Sequence, residues 1–317
     1  MLAYRLQSPI FMFDLFSDQE REWCERTKVN ITFPGAADYP RAFEKMAIRP
    51  HFLTYWGQPV WNEQFCISIV GSRNPSSQSL RWMEQELPKV FDGQSVVVVS
   101  GGARGIDMKA HQLALLCRRP TIVFVPAGLM QVYPASLTEW IEPIVEAGGA
   151  VISQFGPNSQ MRRDFFHARN RLIAGISELT FVVECKRRSG TLKTANFARE
   201  LSKTLAVLPT FPYDPGLGGL DLICDGAFPI RDARDLSTLS NFLELINAES
   251  KEGKVGHPNR DRNGQLPIAC ETFEADLHCP INDDCGDANN HAAASRCTAV
   301  SDGAEPHTDK CEYQAGR

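Results

Sequence analysis

Ser95-Val96-Val97-Val98-Val99-Ser100-Gly101-Gly102-Ala103-Arg104-Gly105-Ile106-Asp107 passes from a β-branched block through a glycine turn into a helical pattern. Consecutive valines suit a strand buried on both faces, the kind that builds parallel sheets. The turn puts small residues where backbone N–H groups can approach an anion, and the helix behind it carries partial positive charge at its start. Val70-Gly71-Ser72-Arg73 repeats the arrangement after the apolar run 66–70, and Ser189-Gly190-Thr191 repeats it ahead of another helix. A phosphate-bearing ligand, nucleotide or nucleic acid, is the first expectation.

Working outward from these turns, the pattern predicts strands at 66–70, 95–99, 121–125, 150–152, 179–184 and 204–208. Helices are predicted at 78–90, 106–117, 136–147, 165–176, 191–202 and 235–246. This alternation specifies an α/β fold, an extended Rossmann-like doubly wound, mostly parallel sheet. Ligands of such sheets lie outside the carboxyl ends of the strands, where all three glycine turns fall. Residues 1–65, broken at Pro34-Gly35 and Tyr39-Pro40, read as a small extension packed on the sheet, and residues 66–247 as the Rossmann domain. In residues 248–317 apolar periodicity gives way to Gly, Asn, Asp, Pro and Ala, and the expectation is an acidic, cysteine-containing, disordered tail.

The net charge of −5 is unevenly spread, because the chain from Glu249 onward holds 13 Asp/Glu against 7 Lys/Arg and leaves the first 248 residues at +1. A nucleic-acid partner therefore requires a local basic surface. No apolar stretch approaches the roughly 18 residues of a membrane helix, so the expectation is a cytoplasmic protein that does not engage a membrane. Its ten cysteines then read as reduced thiols, with Cys66, Cys117, Cys185 and Cys224 as small core fillers. The tail cysteines have no C-x-x-C pair, and no metal site is expected despite His278 and His291.

Arg73 and Arg104 sit in glycine turns, where a guanidinium can grip a phosphate already held by N–H groups from Gly71, Ser72, Ser100, Gly101 and Gly102. Asp107, three residues beyond Arg104, reads as a structural brace for these groups, since no second carboxylate or histidine completes an acid–base pair. Between Arg162 and Lys193 lie eight basic residues, Arg162, Arg163, Arg169, Arg171, Lys186, Arg187, Arg188 and Lys193, which form the required local patch. Phe165, Phe166 and His167 lie within it, and aromatic rings beside arginines stack unpaired bases while cations hold the backbone. Ser189, Gly190, Thr191 and Thr194 open the following helix as a further anion site. With no nucleophile elbow, Walker lysine or metal-ligand cluster, the pattern argues for binding over catalysis and for no cofactor.

Taken with Tyr133-Pro134, the run Arg169-Asn170-Arg171-Leu172-Ile173-Ala174-Gly175-Ile176-Ser177, Val182-Val183-Glu184 and Leu217-Gly218-Gly219, these turns resemble the DNA-processing protein DprA (Smf) family from about Tyr39 to Arg234. The resemblance implies an extended Rossmann fold that binds and protects single-stranded DNA in a basic pocket, passes it to the recombinase RecA, and pairs into a homodimer. Carried over by motif, it makes Arg73, Arg104, Arg169, Arg171 and Lys186 backbone contacts, with Phe166, Asn170, Thr191 and Thr194 beside them. Gly71, Ser72, Gly101, Gly102, Ser189 and Gly190 would shape the pocket. The chain departs from the family pattern at Pro126-Ala127-Gly128, His167 and Leu208-Pro209-Thr210, and it shows no winged-helix or helix-hairpin module.

Two rival readings remain at this level. The same turns would cradle one small nucleotide, as in Rossmann-like binders and phosphoribohydrolases, although the Pro-Gly-Gly-x-Gly-Thr-x-x-Glu signature of those enzymes is missing. A scaffold whose acidic tail recruits partners is the other.

Overall fold

The computed structural model describes residues 16–210 and 214–251. The chain opens with α1 (Asp18–Thr27), β1 (Asn30–Thr32), α2 (Arg41–Glu44) and β2 (Leu53–Gly57). The repeating part follows as β3 (Phe65–Val70), α3 (Ser77–Gly93), β4 (Val96–Ser100), α4 (Ile106–Leu116), β5 (Thr121–Phe124), α5 (Thr138–Glu146) and β6 (Ala150–Ser153). It continues through α6 (Arg163–Ile176), β7 (Leu179–Val182), α7 (Gly190–Glu200), β8 (Thr204–Val207), α8 (Asp214–Cys224), β9 (Phe228–Pro229) and α9 (Ala233–Lys251).

The nine strands of the described residues share one sheet in the order β1-β2-β6-β5-β4-β3-β7-β8-β9. From β3 the chain steps outward through β4, β5 and β6, then returns to the other side of β3 for β7, β8 and β9. These strands run parallel, and β3 meets β7 with Ile67 beside Leu179 and Val70 beside Val182. The reversal between β3 and β7 is the topological switch point, and the helices that follow them leave on opposite faces. Met83 and Leu87 of α3 pack with Ile67 and Ile69, whereas Ala195 and Ala198 of α7 pack with Val70 and Val182. Divergent loops open a crevice there.

Helices cover both faces, which is why the strands read as unbroken apolar runs rather than alternating ones. Ile67, Val98 and Phe181 have no exposed surface, and burying side chains of this size contributes about 1.5–3 kcal/mol each. The extension is more than a covering: β2 pairs antiparallel with β6 and β1 with β2, so residues before Cys66 lengthen the sheet itself. Its first helix is announced by a capping box, with the Ser17 hydroxyl accepting from Glu20 N and the Glu20 carboxylate accepting from Ser17 N. At the other end α9 reaches Lys251, past the expected boundary at Asn247. The tail expected to be disordered, with its cysteines, otherwise falls outside the described residues.

Candidate nucleic-acid interface

Two adjoining hollows, each of about 950 Å3, open at the carboxyl ends of the strands. One lies at the switch point between the β3 turn and the β7–α7 loop and is lined by Gly71, Ser72, Lys186, Arg188, Ser189 and Thr191 among others. The other lies beyond β4 and is lined by Gly101, Gly102, Arg104, Tyr133 and Trp140 among others. Arg73, Asn74, Ala103, Phe166 and Arg169 line both and so form their junction.

Phe166 is the centre of that junction. The guanidinium carbons of Arg73 and Arg169 each lie 5.8 Å from its ring centroid. Tyr133 meets it edge-on at 5.9 Å. Helix α6 explains the arrangement, because Phe166 and Arg169 are three residues apart and therefore share a helical face.

Arg169 is only 4% exposed, and Asp107 is buried beside it. A Cβ at Gly101 would overlap Arg169 Nη1 and fall 2.9 Å from Asp107 Oδ2, so the glycine leaves the room that both side chains need. Burial pushes the Asp107 carboxyl up, while Arg169 and the N–H groups of Ala103, Gly101 and Gly71 pull it back down. For Arg169, burial is the larger influence and brings the guanidinium down to about 10 against the opposing pull of Asp107. The Asp107 carboxylate thus lies at the first two glycine turns, close to their backbone N–H groups. A Cβ at Gly71 would likewise strike the Ile106 side chain, at 2.5 Å. These two glycines answer an internal packing demand rather than a ligand's approach.

Other expected residues divide between wall and interior. Arg104 donates to Asn74 Oδ1 at 2.6 Å, Ser189 caps α7 by accepting from Leu192 N at 3.1 Å, and Thr191 donates to Gly71 O at 2.8 Å. Ser72 accepts from Asn74 N at 3.2 Å, and Asn170 donates to Gly190 O at 3.4 Å. Thr194 lines the switch-point hollow but is buried, and its hydroxyl donates back to Gly190 O at 3.3 Å. Ser100 is corrected to a structural residue: it is fully buried and donates to Ile69 O at 2.6 Å. Arg171 lines neither hollow, its guanidinium lying 5.6 Å over the Phe197 ring.

The basic patch is also partly spent. Arg187 forms a two-pronged pair with Asp221 at 2.6 and 2.8 Å, and Lys193 Nζ lies 3.1 Å from His167 Nε2. Among the described residues Arg73, Arg163 and Arg188 have no carboxylate partner.

Residue reasoning missed the role of Glu184, which is buried and accepts from Ser76 N at 3.1 Å and Ser79 Oγ at 2.9 Å, tying the end of β7 to the start of α3. A lone acid after an apolar strand was the available signal. His111 is buried with Nδ1 2.7 Å from Thr121 Oγ1, and Thr121 donates its proton to Val98 O at 2.8 Å. The imidazole must therefore donate from Nδ1, and burial with Arg169 nearby brings its pKa down to about 3, so it stays neutral. Cys66 and Cys185 are buried as expected, Cys117 is half-buried, and Cys224 is exposed rather than a core filler. Among the described residues no three His, Cys, Asp or Glu side chains are placed to hold a metal ion. No described helix is long and apolar enough to cross a membrane.

Residues 30–241 match the model of the DNA recombination-mediator protein A family. The chain belongs to that family. Among its relatives, Protein Smf of Borreliella burgdorferi is 28% identical over 225 residues, which span 70% of this chain and 68% of the relative. The X-ray structure of DNA processing protein A from Streptococcus pneumoniae superposes with a TM-score of 0.62 at 30% identity, covering 69% of this chain and 77% of that one. DNA processing protein A from Helicobacter pylori, a structure concerned with that protein's single-stranded DNA binding mode, shares the fold with a TM-score of 0.59 at 24% identity over 70% and 98% of the two chains.

Proposed function

We propose that this chain binds single-stranded DNA across the two hollows, in DNA processing of the kind its family relatives are named for. The observation that carries the reading is Phe166 with the guanidinium carbons of Arg73 and Arg169 each 5.8 Å from its ring centroid at the hollows' junction. An aromatic face takes an unpaired base of any sequence, and cations beside it hold the phosphates on either side. Arg73, Lys186, Arg188, Ser189 and Gly190 line the phosphate side at the switch point. Each hollow alone is near the upper size for one small ligand, and two in series suit a chain better than a single nucleotide. The reading involves no chemical step. Delivery of the strand to RecA is an extension of it, supported by the family's description as recombination mediators, and pairing of two copies is a further extension without support of that kind.

Affinity measured for single-stranded oligomers of graded length, duplex and nucleoside monophosphates over a salt series tests the proposal. Affinity should rise with strand length, and log affinity should fall with log salt. Equal affinity for a mononucleotide and a long strand would overturn it in favour of a small-ligand site.

A further inference from the structure

The first turn of α6 carries a second aromatic and arginine cluster outside the hollows. Phe165 stacks face to face on Phe155, with ring centroids 3.7 Å apart and planes within 9°. The Arg162 guanidinium lies 5.4 Å over Phe165. Phe155 comes from the loop after β6, and Phe165 immediately precedes Phe166, so the stack adjoins the junction already described.

Two features distinguish this stack from an ordinary core pair. Both rings are only half-buried, and Arg162 and Arg163 beside them are exposed. The one ion pair of Arg162, with Asp164 at 3.2 Å, joins side chains 68% and 63% exposed; such a pair is weak in water and exchanges readily for a phosphate. The loop behind Phe155 is nevertheless fixed. Gly128 N donates to Ser159 O at 2.8 Å, Met130 N to Pro157 O at 2.9 Å, and Asn158 N to the Glu20 carboxylate at 3.0 Å. The rings are held in place from one side and reachable from the other.

We propose that Phe155 and Phe165, with Arg162 and Arg163, form a second nucleobase platform that receives an unpaired polynucleotide as it leaves the hollows past Phe166. The inference rests on the single-strand reading of the hollows. Stacking on the rings would be independent of sequence, and the two arginines would follow the backbone.

Fluorescence anisotropy with oligothymidylates of about four and about sixteen nucleotides separates the two sites, since only the longer strand reaches beyond one site's footprint. Phe155→Ala is expected to weaken the long oligomer about tenfold and the short one less than about twofold. Arg162→Glu, which leaves the ring packing in place, should show the same length selectivity by removing a phosphate contact. Arg162→Glu losses that are equal at both lengths, or absent at the long one, overturn the platform. Arg73→Ala in the same assay examines the reading beneath it: no loss at either length means the hollows do not hold the strand. Loss at both lengths with Arg73→Ala, but no length selectivity with Arg162→Glu, rejects the platform alone.

Discussion

The two ends of the parallel sheet treat charge in opposite ways. At the amino ends the Glu178 carboxylate accepts from Cys66 N at 2.9 Å. Burial pushes the Lys203 ammonium down there, and nearby Glu178 pulls it back up. Charges at that end are answered within the fold. At the carboxyl ends Arg73 and Arg188 line a hollow with no carboxylate partner among the described residues, while the buried Arg169 feels the opposing charge of the buried Asp107. A balanced buried charge supports architecture; a surplus beside an open hollow is directed at something outside the chain.

Asp107 belongs by position to the open end and by chemistry to the closed one, so removing it tests the contrast most severely. Asp107→Ala removes the buried carboxylate whose charge opposes that of the buried Arg169 guanidinium and is expected to cost about 3–5 kcal/mol of folding stability, read by urea unfolding. A loss below about 1 kcal/mol would mean that Arg169 finds its balance elsewhere.

Phe166→Ala should leave folding nearly intact and weaken single-stranded DNA binding by about 1–3 kcal/mol without altering the salt slope, because no counterion is involved. Arg73→Ala, in contrast, should flatten the log-affinity against log-salt slope by about 0.7. Exchange of these two signatures would reverse the assignment of stacking and phosphate roles.

His111 supplies a pH test of the interior. Its pKa is lowered from 6.5 to about 3 in the fold, so below pH 6.5 the unfolded chain takes a proton that the native state refuses. The stability from this group is present above pH 6.5 and falls as pH approaches 3. Between about pH 6.5 and 5 the loss should be about 2 kcal/mol, and His111→Gln should remove that component from the pH dependence of unfolding. Equal acid slopes for the two proteins would place the titrating group elsewhere.

Lys203→Met, at the closed end, should change strand affinity by less than about twofold, since a charge beyond a Debye length is screened from the hollows. Truncation after Lys251 should have the smallest effect on folding, and at low salt it should tighten binding slightly by removing excess acid. A binding loss from Lys203→Met as large as that from Arg73→Ala would erase the distinction between the two ends.

The parallel strands and their helices were legible because strands buried on both faces leave unbroken runs such as Val96-Val97-Val98-Val99, and the glycine turns marked their carboxyl ends. β1 and β2 were not, since strands of three and five residues carry little periodic signal. The Ser17–Glu20 capping box was a missed local cue for α1. At the site, Arg73, Phe166 and Arg169 were legible as residue types, but spacing alone could not say that Ser100 faces inward or that Arg171 lies on Phe197. Those outcomes depend on side-chain direction and on partners more than twenty residues away.

Because Arg169 Nη1 fills the volume that a side chain at 101 would need, these two positions cannot vary independently. A lineage that retains the buried arginine must inherit glycine with it, whereas one that shortens residue 169 removes the tightest clash at position 101 and leaves only the Asp107 carboxylate to shift for alanine. Across homologues, the pair should therefore drift together, a coupled inheritance imposed by one shared volume.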